Sequence, residues 1–446
     1  VKSCKKQEEG CFCLMSILIK DASIVLTQNS ERNQLRNVDI YIEDNFISEV
    51  SEKPVSVEAE HVINARGMIV LPGLINLHTH VPMTLLRGYG DDMVLEDWLN
   101  SRIWPVEAKL DRDSISAGTR LGLLEMIRSG TTCFLDMYFF EDIIAEVTKE
   151  IGMRAFLGFS LLDFGTPEYK YEELFPACEG FLRRWVKSDL IKPVVAPHAA
   201  YTCSAETLQK SLDLAEKFDV LLHTHCSETR NEVYSVMEKT GLRPVGVFKR
   251  HGLLCERAIL AHCGWITKNE VSEISRSGSK VAHCPVSNMK LATGGFAPVP
   301  EMLMENVPVG LGTDGAASNN TLDMFETMKF TALLHKHHRW DPCVLPAQQV
   351  LDLATISGAK CLGIDDKVGS IEEGKLADIV LVNLRRPWLT PVHDPVSLLV
   401  YSARCSDVYA TIVNGGLLML DNRFYTLDYN RVIKEAQIQA YNLTKS

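Results

Sequence analysis

Between residues 68 and 314, short apolar runs alternate with longer stretches of helical periodicity, and this alternation limits the architecture more than any other property of the chain. The runs are Met68–His80, Thr132–Tyr138, Arg154–Leu161, Pro193–His198, Val220–His225, Ala258–His262, Lys280–Pro285 and Val307–Asp314. Strands that alternate with helices build βαβ units, and near-continuous apolar strands belong to a parallel sheet buried on both faces. Eight such units within about 250 residues predict an α/β fold, a closed (β/α)8 TIM-like barrel. An open doubly wound sheet is the structural rival, but no Gly-x-Gly-x-x-Gly phosphate turn follows the first run. Gly310-x-Gly312 and Gly294-Gly295 read as tight loop geometry.

The flanks have a different texture. From Ser16 to about Ala65 the pattern shortens to period-two alternation, as in Val38-Asp-Ile-Tyr-Ile and Phe46-Ile-Ser-Glu-Val, and the same pattern returns in Ala377-Asp-Ile-Val-Leu-Val and Val408-Tyr-Ala-Thr-Ile-Val. Such segments read as antiparallel strands. The chain of 446 residues is long enough for one large domain and a smaller companion. The expected division is a β-sandwich domain built from both chain ends, over residues 16–66 and 366–426, around a barrel over 67–365. A C-terminal helix over 427–446 follows. Residues 1–15 read as a disordered leader, with Met15 as a natural start and Cys11-Phe-Cys13 as part of that leader.

Composition removes several classes of function. A formal net charge of −11 leaves no basic stripe to neutralise phosphates, so neither nucleic acid nor an anionic membrane is an expected partner. The 13 cysteines are scattered singly through apolar runs, where free thiols behave as small hydrophobes. A long chain with such cysteines reads as cytoplasmic, and it contains no apolar run long enough to span a membrane.

A parallel barrel carries its chemistry at the C-terminal ends of its strands, and titratable residues stand there. The first run ends in His78 and His80, the fourth in His198, the fifth in His225, the sixth in His262, the seventh in His283 and the eighth in Asp314. Alternate strand residues share a face, so His78 and His80 can reach one ion. A single histidine pair is as readily a packed or solvated pair, and the coincidence across strand ends is what carries the metal reading. His251, His335, His337 and His338 fall in helical or loop stretches and read as surface or packing residues. Three imidazoles with one carboxylate suit Zn2+, with Fe2+ as the alternative, and leave a position open for water. Such an ion lowers the pKa of bound water to about 7. The chemistry then needs a proton carrier that is not a ligand, and Glu228, in His225-x-x-Glu228, is the candidate. Its competing role is a helix N-terminal charge, because Thr229-Arg-Asn-Glu-Val reads as a helix start.

Several longer segments go together: Pro72-Gly-Leu-Ile-Asn-Leu-His-Thr-His80, Met83-Thr-Leu-Leu-Arg-Gly88, Glu96-Asp-Trp-Leu99, Trp104-Pro-Val-Glu107, Ala261-His-Cys263, Asn288-Met-Lys-Leu291 and Leu311-Gly-Thr-Asp-Gly-Ala-Ala-Ser-Asn-Asn320. In these the chain resembles the amidohydrolase superfamily, and within it the 5-methylthioadenosine/S-adenosylhomocysteine deaminases. The likeness extends from about Ile17 through Gly369–Asp378 to the C-terminal strands. It implies a metal-dependent hydrolytic deaminase that acts on an adenine nucleoside. It also implies His78, His80, His225 and Asp314 as ligands of one divalent ion, Glu228 as proton shuttle, and His262 as hydrogen-bond partner of the attacking water or the developing oxyanion. By the same resemblance His198 contacts the nucleoside and Glu107 binds the ribose hydroxyls, a pairing that suits a carboxylate and a vicinal diol. A first-turn helix charge is the alternative for Glu107. His283 is either structural or a substrate contact, and Trp98 either an apolar lid or a packed loop aromatic.

One departure bears on the substrate. Members that accept S-adenosylhomocysteine carry arginine after the third strand, whereas here Leu162-Asp-Phe-Gly-Thr-Pro-Glu-Tyr-Lys-Tyr-Glu-Glu holds Lys170, and the next arginine is Arg183. Lysine does not reproduce the bidentate grip of arginine on a carboxylate, which favours adenosine, 5′-deoxyadenosine or methylthioadenosine. A triazine chlorohydrolase or a guanine or pterin deaminase would use the same nucleophile, but such substrates offer Glu107 no ribose. A non-catalytic barrel kept for assembly would be expected to have lost ligands, and none is missing. The expected partners are a small nucleoside and, as is common for enzymes of this size, further copies of the chain in a homo-oligomer.

Overall fold

A computed structural model describes residues 16–445. The leader expected over 1–15, with its Cys-x-Cys, lies outside the described residues. Eight parallel strands pair in chain order: β1 (Leu74–Thr79), β2 (Thr131–Tyr138), β3 (Arg154–Leu161), β4 (Ile191–Pro197), β5 (Leu222–Cys226), β6 (Ala258–His262), β7 (Lys280–His283) and β8 (Val309–Leu311). Helices cover the outside, so β2 and β3 are buried along their whole length. The ring is drawn shut between β8 and β1 just beyond the short last strand. There Asp314 N–H donates to the His78 carbonyl at 2.8 Å, and the Asn76 side chain donates to Thr313 Oγ1 at 2.7 Å and accepts from Thr313 N–H at 3.0 Å. The fold is the (β/α)8 barrel that the alternation predicts.

The apolar run Met68–His80 proves to be two strands in two sheets. Met68–Pro72 pairs antiparallel with Ile379–Asn383 and parallel with Ile24–Leu26, and the barrel begins only at Leu74. Gly73 marks the break, where a Cβ would lie 2.0 Å from Thr132 Oγ1. Both segments are buried, so hydropathy does not separate them.

Strands from both chain ends form two further sheets. One has seven strands in the order Arg423–Phe424, Gly416–Leu420, Val408–Val413, Ile379–Asn383, Met68–Pro72, Ile24–Leu26, Gln34–Leu35. The other has four, in the order Phe46–Ser51, Val38–Glu43, Ile17–Ala22, His61–Asn64. Their shared core includes Ile17, Ile19, Ile40, Val70, Ile379 and Ile412, the inward halves of the alternating segments. The final helix, Tyr429–Thr444, starts at Asp428, whose carboxylate accepts from Arg431 N–H at 3.0 Å, and packs on the helix Arg112–Arg128. Among the described residues no helix is long and apolar enough to cross a membrane, and the ten cysteines are all free.

Arg154, at the start of β3, ties the barrel to the terminal sheets. Its guanidinium donates to both oxygens of Asp378, at 2.8 and 3.0 Å, and Asn414 N–H donates to the same carboxylate at 2.7 Å. Both side chains are buried, so Asp378→Ala would leave a buried cation without its partner. That substitution is expected to destabilise the protein by about 3–5 kcal/mol, measured as a fall in the urea unfolding midpoint.

Candidate active site

Strand register decides which strand-end side chains meet. His225 is paired with Ala261, and Ala261 with Ala282, so these three point to the barrel axis together. His223, two residues before His225, shares that face. On β1 the register shifts between Asn76 and Thr79, an irregularity of the kind that re-aims side chains beside functional sites. The rings of His78 and His80 have their centroids 4.9 and 5.5 Å from that of His225. Simple alternation after Ala261 would turn His262 outward. Its left-handed backbone, with φ of 71°, instead ends the strand and brings its ring to 5.2 Å from that of His78. Ser227 and Asp314 adopt the same region, with φ of 51° and 66°. Such conformations cost of order 1–3 kcal/mol each outside glycine and gather at functional sites.

His283 behaves differently, and of its two expected roles the structure supports the structural one against the substrate contact. Because Ala282 faces the axis, His283 faces outward, where its Nε2 lies 3.3 Å from Nε2 of His335 on the helix Met324–Arg339. Neither histidine is exposed.

The inward imidazoles are oriented through their δ nitrogens. His80 Nδ1 donates to the Met137 carbonyl and His225 Nδ1 to the His198 carbonyl, the latter at 2.9 Å. Nδ1 of His78 lies 2.8 Å from Nε2 of His223. Each Nε2 is thereby turned toward the common centre. The ligand atoms of His78, His80 and His225 all lie within 4.8 Å of one another, and Nε2 of His78 is buried without a hydrogen-bond partner. Asp314 Oδ1 completes the set, 3.2 Å from Nε2 of His80 and 3.5 Å from Nε2 of His78. Two ligands held about 2.0–2.2 Å from one tetrahedral ion stand roughly 3.3–3.6 Å apart. Asp314 Oδ1 stands close to that spacing from both rings, and three nitrogens and one oxygen gathered in this way suit a divalent metal.

Burial pushes His78 down to about 4 and His225 well below the usual range, so both keep a lone pair at neutral pH, whereas His80, against its own burial, is raised to about 9 by the Asp314 carboxylate. Burial alone would protonate Asp314, but the His78 and His80 rings beside it hold it well below the ordinary carboxylate range. Its outer oxygen accepts from Ser287 at 2.5 Å and from Ser318 at 2.8 Å. Cys284 lies near His78 and His262, but burial raises its thiol pKa well above normal, and a thiol kept protonated is a poor ligand.

The polar centre opens into a cavity of about 360 Å3, within the range of small-molecule sites, roughly 300–1,000 Å3. His80, His225, Asp314, Glu228, His262, His198, Glu107 and Trp98 all line it. Glu228 Oε2 lies 3.8 Å from His262 Nε2. The helix start expected at Thr229 is present over Arg230–Thr240, but its charge is supplied by Glu232, whose carboxylate accepts from Ser227 N–H at 2.9 Å and Glu228 N–H at 2.7 Å. The Glu228 carboxylate stands on the cavity wall instead, where burial raises its pKa. His262 Nδ1 lies 2.9 Å from Asn288 Oδ1, and His198 Nδ1 lies 2.9 Å from Thr202 Oγ1. Glu107 ends the short helix Trp104–Glu107 and accepts a 2.7 Å hydrogen bond from the Tyr138 hydroxyl. Trp98 is buried against the core.

Sequence reasoning passed over His223, Tyr138, Ser287, Ser318 and Asn288. The signal for His223 was in plain view, because His223-Thr-His225 repeats the spacing of His78-Thr-His80. Tyr138 ends β2 in the position that the barrel rule reserves for functional side chains. Ser287 and Asn288 lie on the short helix Pro285–Lys290 after β7 and Ser318 on a turn after β8, where neither periodicity nor strand ends point to them.

The chain matches the amidohydrolase family over residues 69–418. It is 45% identical over 414 residues to a 5-methylthioadenosine/S-adenosylhomocysteine deaminase of Thermococcus onnurineus, covering 92% of this chain and 96% of the relative. It is 45% identical over 405 residues to a 5′-deoxyadenosine deaminase of Methanothrix thermoacetophila, covering 91% and 94%. Among solved structures, an adenosine deaminase from Xanthomonas campestris with bound zinc superimposes with a TM-score of 0.94 at 34% identity, covering 96% of this chain and 99% of that one.

Metal-free protein titrated with Zn2+ should gain stability, by about 2.7 kcal/mol at a hundredfold excess over Kd, and lose it again on chelation. His78→Ala and His225→Ala should each abolish the gain in a thermal melt. A gain that survives both substitutions would place the ion elsewhere.

Proposed function

The chain belongs to the amidohydrolase family, and from that premise we propose that it is a metal-dependent deaminase, converting an adenine nucleoside and water to the inosine analogue and ammonia. The observation that carries this reading is a half-buried carboxylate, Glu228, standing beside the His262 imidazole on the wall that also holds the histidine and aspartate cluster. The proposed ligands are His78, His80, His225 and Asp314, with zinc the preferred ion and Fe2+ the alternative. A divalent ion held there supplies acidity, lowering the pKa of a coordinated water to about 7.

The remaining steps belong to the protein's own side chains. Glu228, as carboxylate, takes a proton from the attacking water and delivers it to the adenine ring nitrogen as C6 becomes tetrahedral. It then passes the second proton to the departing amine, so that ammonia leaves and the C6 oxygen remains. His262, its Nδ1–H directed at Asn288, offers Nε2 as acceptor to the water and sets its line of approach. Glu107 accepts hydrogen bonds from the two ribose hydroxyls, and the Tyr138 hydroxyl on Oε1 fixes its orientation. His198 contacts the nucleoside, and Trp98 closes an apolar wall over it.

The cavity wall also supports a preference within the adenine nucleosides. Among the described residues neither lysine nor arginine lines it, whereas Leu99, Ile103, Phe164 and Pro167 do. Lys170, the cation noted after the third strand, sits exposed at the start of the helix Tyr171–Trp185, off that wall. An uncharged 5′ substituent suits these surroundings better than an amino acid carboxylate, which would lose its hydration without gaining a cation. Free thiols throughout the described chain fit a reducing cytoplasm, and assembly into a homo-oligomer is part of the same proposal.

An absorbance assay on adenosine, 5′-deoxyadenosine, methylthioadenosine and S-adenosylhomocysteine tests this reading, with the last expected to show the lowest kcat/KM. Metal-replete protein inert on all four would sink it. Glu107→Gln should lower kcat/KM for nucleosides by about 10- to 100-fold, the worth of hydrogen bonds to a charged group, while sparing activity on free adenine. Glu228→Gln should reduce kcat by about 10²–10⁴. Burial raises the Glu228 pKa above the ordinary 4.5, and only the carboxylate form can accept the proton. Wild-type kcat/KM should therefore fall as pH drops through a value above 4.5, and the glutamine variant should lack that limb.

A further inference from the structure

A second His-x-His pair lies inside the barrel. His223 sits two residues before His225 on β5, level with Ile259 of β6, and is wholly buried. It is off the cavity wall, so it does not touch substrate. Its Nδ1 lies 3.0 Å from the Ile259 carbonyl oxygen and its Nε2 lies 2.8 Å from Nδ1 of His78.

Proton counting allows one arrangement of this chain. A carbonyl oxygen only accepts, so His223 Nδ1 carries hydrogen. Ligation through Nε2, as proposed for His78, puts that ring's one hydrogen on Nδ1, and the His223 Nε2 that faces it is then a bare lone pair. In the 2.8 Å contact the donor must then be His78 Nδ1. Once Nδ1 of His78 is protonated in a neutral ring, its Nε2 is deprotonated, and that is the buried nitrogen without a partner that faces His80, His225 and Asp314. The opposite tautomers would point two lone pairs at each other across the Ile259 contact.

We infer that His223 is a positioning residue for the metal centre: by accepting the Nδ1 proton of His78 it holds that imidazole in the tautomer and orientation whose Nε2 ligates. The inference rests on His78 being a ligand, as in the proposed function. His80 and His225 are oriented by backbone carbonyls, which no side-chain substitution removes. His78 alone of the three depends on a side chain, and this makes the role separable by mutation. Partners of this kind are worth 10–100-fold in metal affinity or activity.

The test compares His223→Leu, which fills the space but accepts nothing, with His223→Gln, whose amide oxygen can accept from His78 while its NH2 donates toward Ile259. Zn2+ affinity is measured by competition with a chromophoric chelator, and apo-protein melting reports folding independently of the ion. The expected result is a loss of roughly 10–100-fold in Zn2+ affinity for leucine, with glutamine restoring most of it at equal apo stability. Wild-type affinity in the leucine variant, or equal losses in two folded variants, would overturn the inference and leave the deaminase reading standing. Should the leucine variant fail to fold, neutron diffraction from the wild-type holoprotein decides. Deuterons on Nδ1 of both His78 and His223 support the inference, and a deuteron on Nε2 of His223 overturns it. Wild-type protein that binds no Zn2+ at all would overturn this inference together with the metal-dependent function.

Discussion

The closure between the first and last barrel strands is the contact on which the site depends. β8 is only three residues long, and what joins it to β1 is the hydrogen bond from Asp314 N–H to the His78 carbonyl, reinforced by the Asn76 side chain on Thr313. The residues that complete the ring are thus the same ones, or immediate neighbours of the ones, that complete the donor set. A barrel that failed to close there would separate the Asp314 carboxylate from the His78 and His80 rings. Fold and chemistry share one seam.

Around that seam the protein buries a cluster of imidazoles, each held by a definite partner at Nδ1. Four imidazoles at the centre have Nδ1 engaged, by the Met137 carbonyl, the His198 carbonyl, His223 and Asn288, so that their ε nitrogens face inward. An unpaired buried group costs about 1–3 kcal/mol, and His78 Nε2, buried without a partner, is one that a metal would satisfy. Exclusion of water also strengthens every interaction of Glu228 and Asp314 with these rings, because the local dielectric is low. Left-handed backbone at Ser227, His262 and Asp314 shows that local conformational preference is overridden at the strand ends in favour of this arrangement.

Much of this was legible in the chain. The alternation of apolar runs and helical stretches specifies a barrel because each βαβ unit has one favoured hand and one way to cover its sheet. The strand-end rule brought attention to His78, His80, His198, His225, His262 and Asp314, which the fold gathers around one cavity. It pointed equally to His283, which the fold turns away, since Ala282 already occupies the inward position of β7. It passed over His223, whose neighbour His225 drew the attention due to both. The apolar run Met68–His80 reads as one strand because both of the sheets it enters are buried, and only the close approach of Gly73 to Thr132 separates them.

By itself the sequence determined the period of each element, the residue type at each strand end and the absence of an arginine from the segment after the third strand. These are local properties, set by side-chain size, charge and the two-residue repeat of a strand. What the tertiary structure decided was which inward positions stand level with one another around the barrel. That depends on the stagger between neighbouring strands, on a register shift in β1 and on three left-handed residues at strand ends, none of which has a local signature. Hence His262 enters the site against simple alternation, His283 leaves it in keeping with alternation, and His223 comes to lie on the far side of His78. A strand's period fixes a face, and only the closed ring fixes a neighbour.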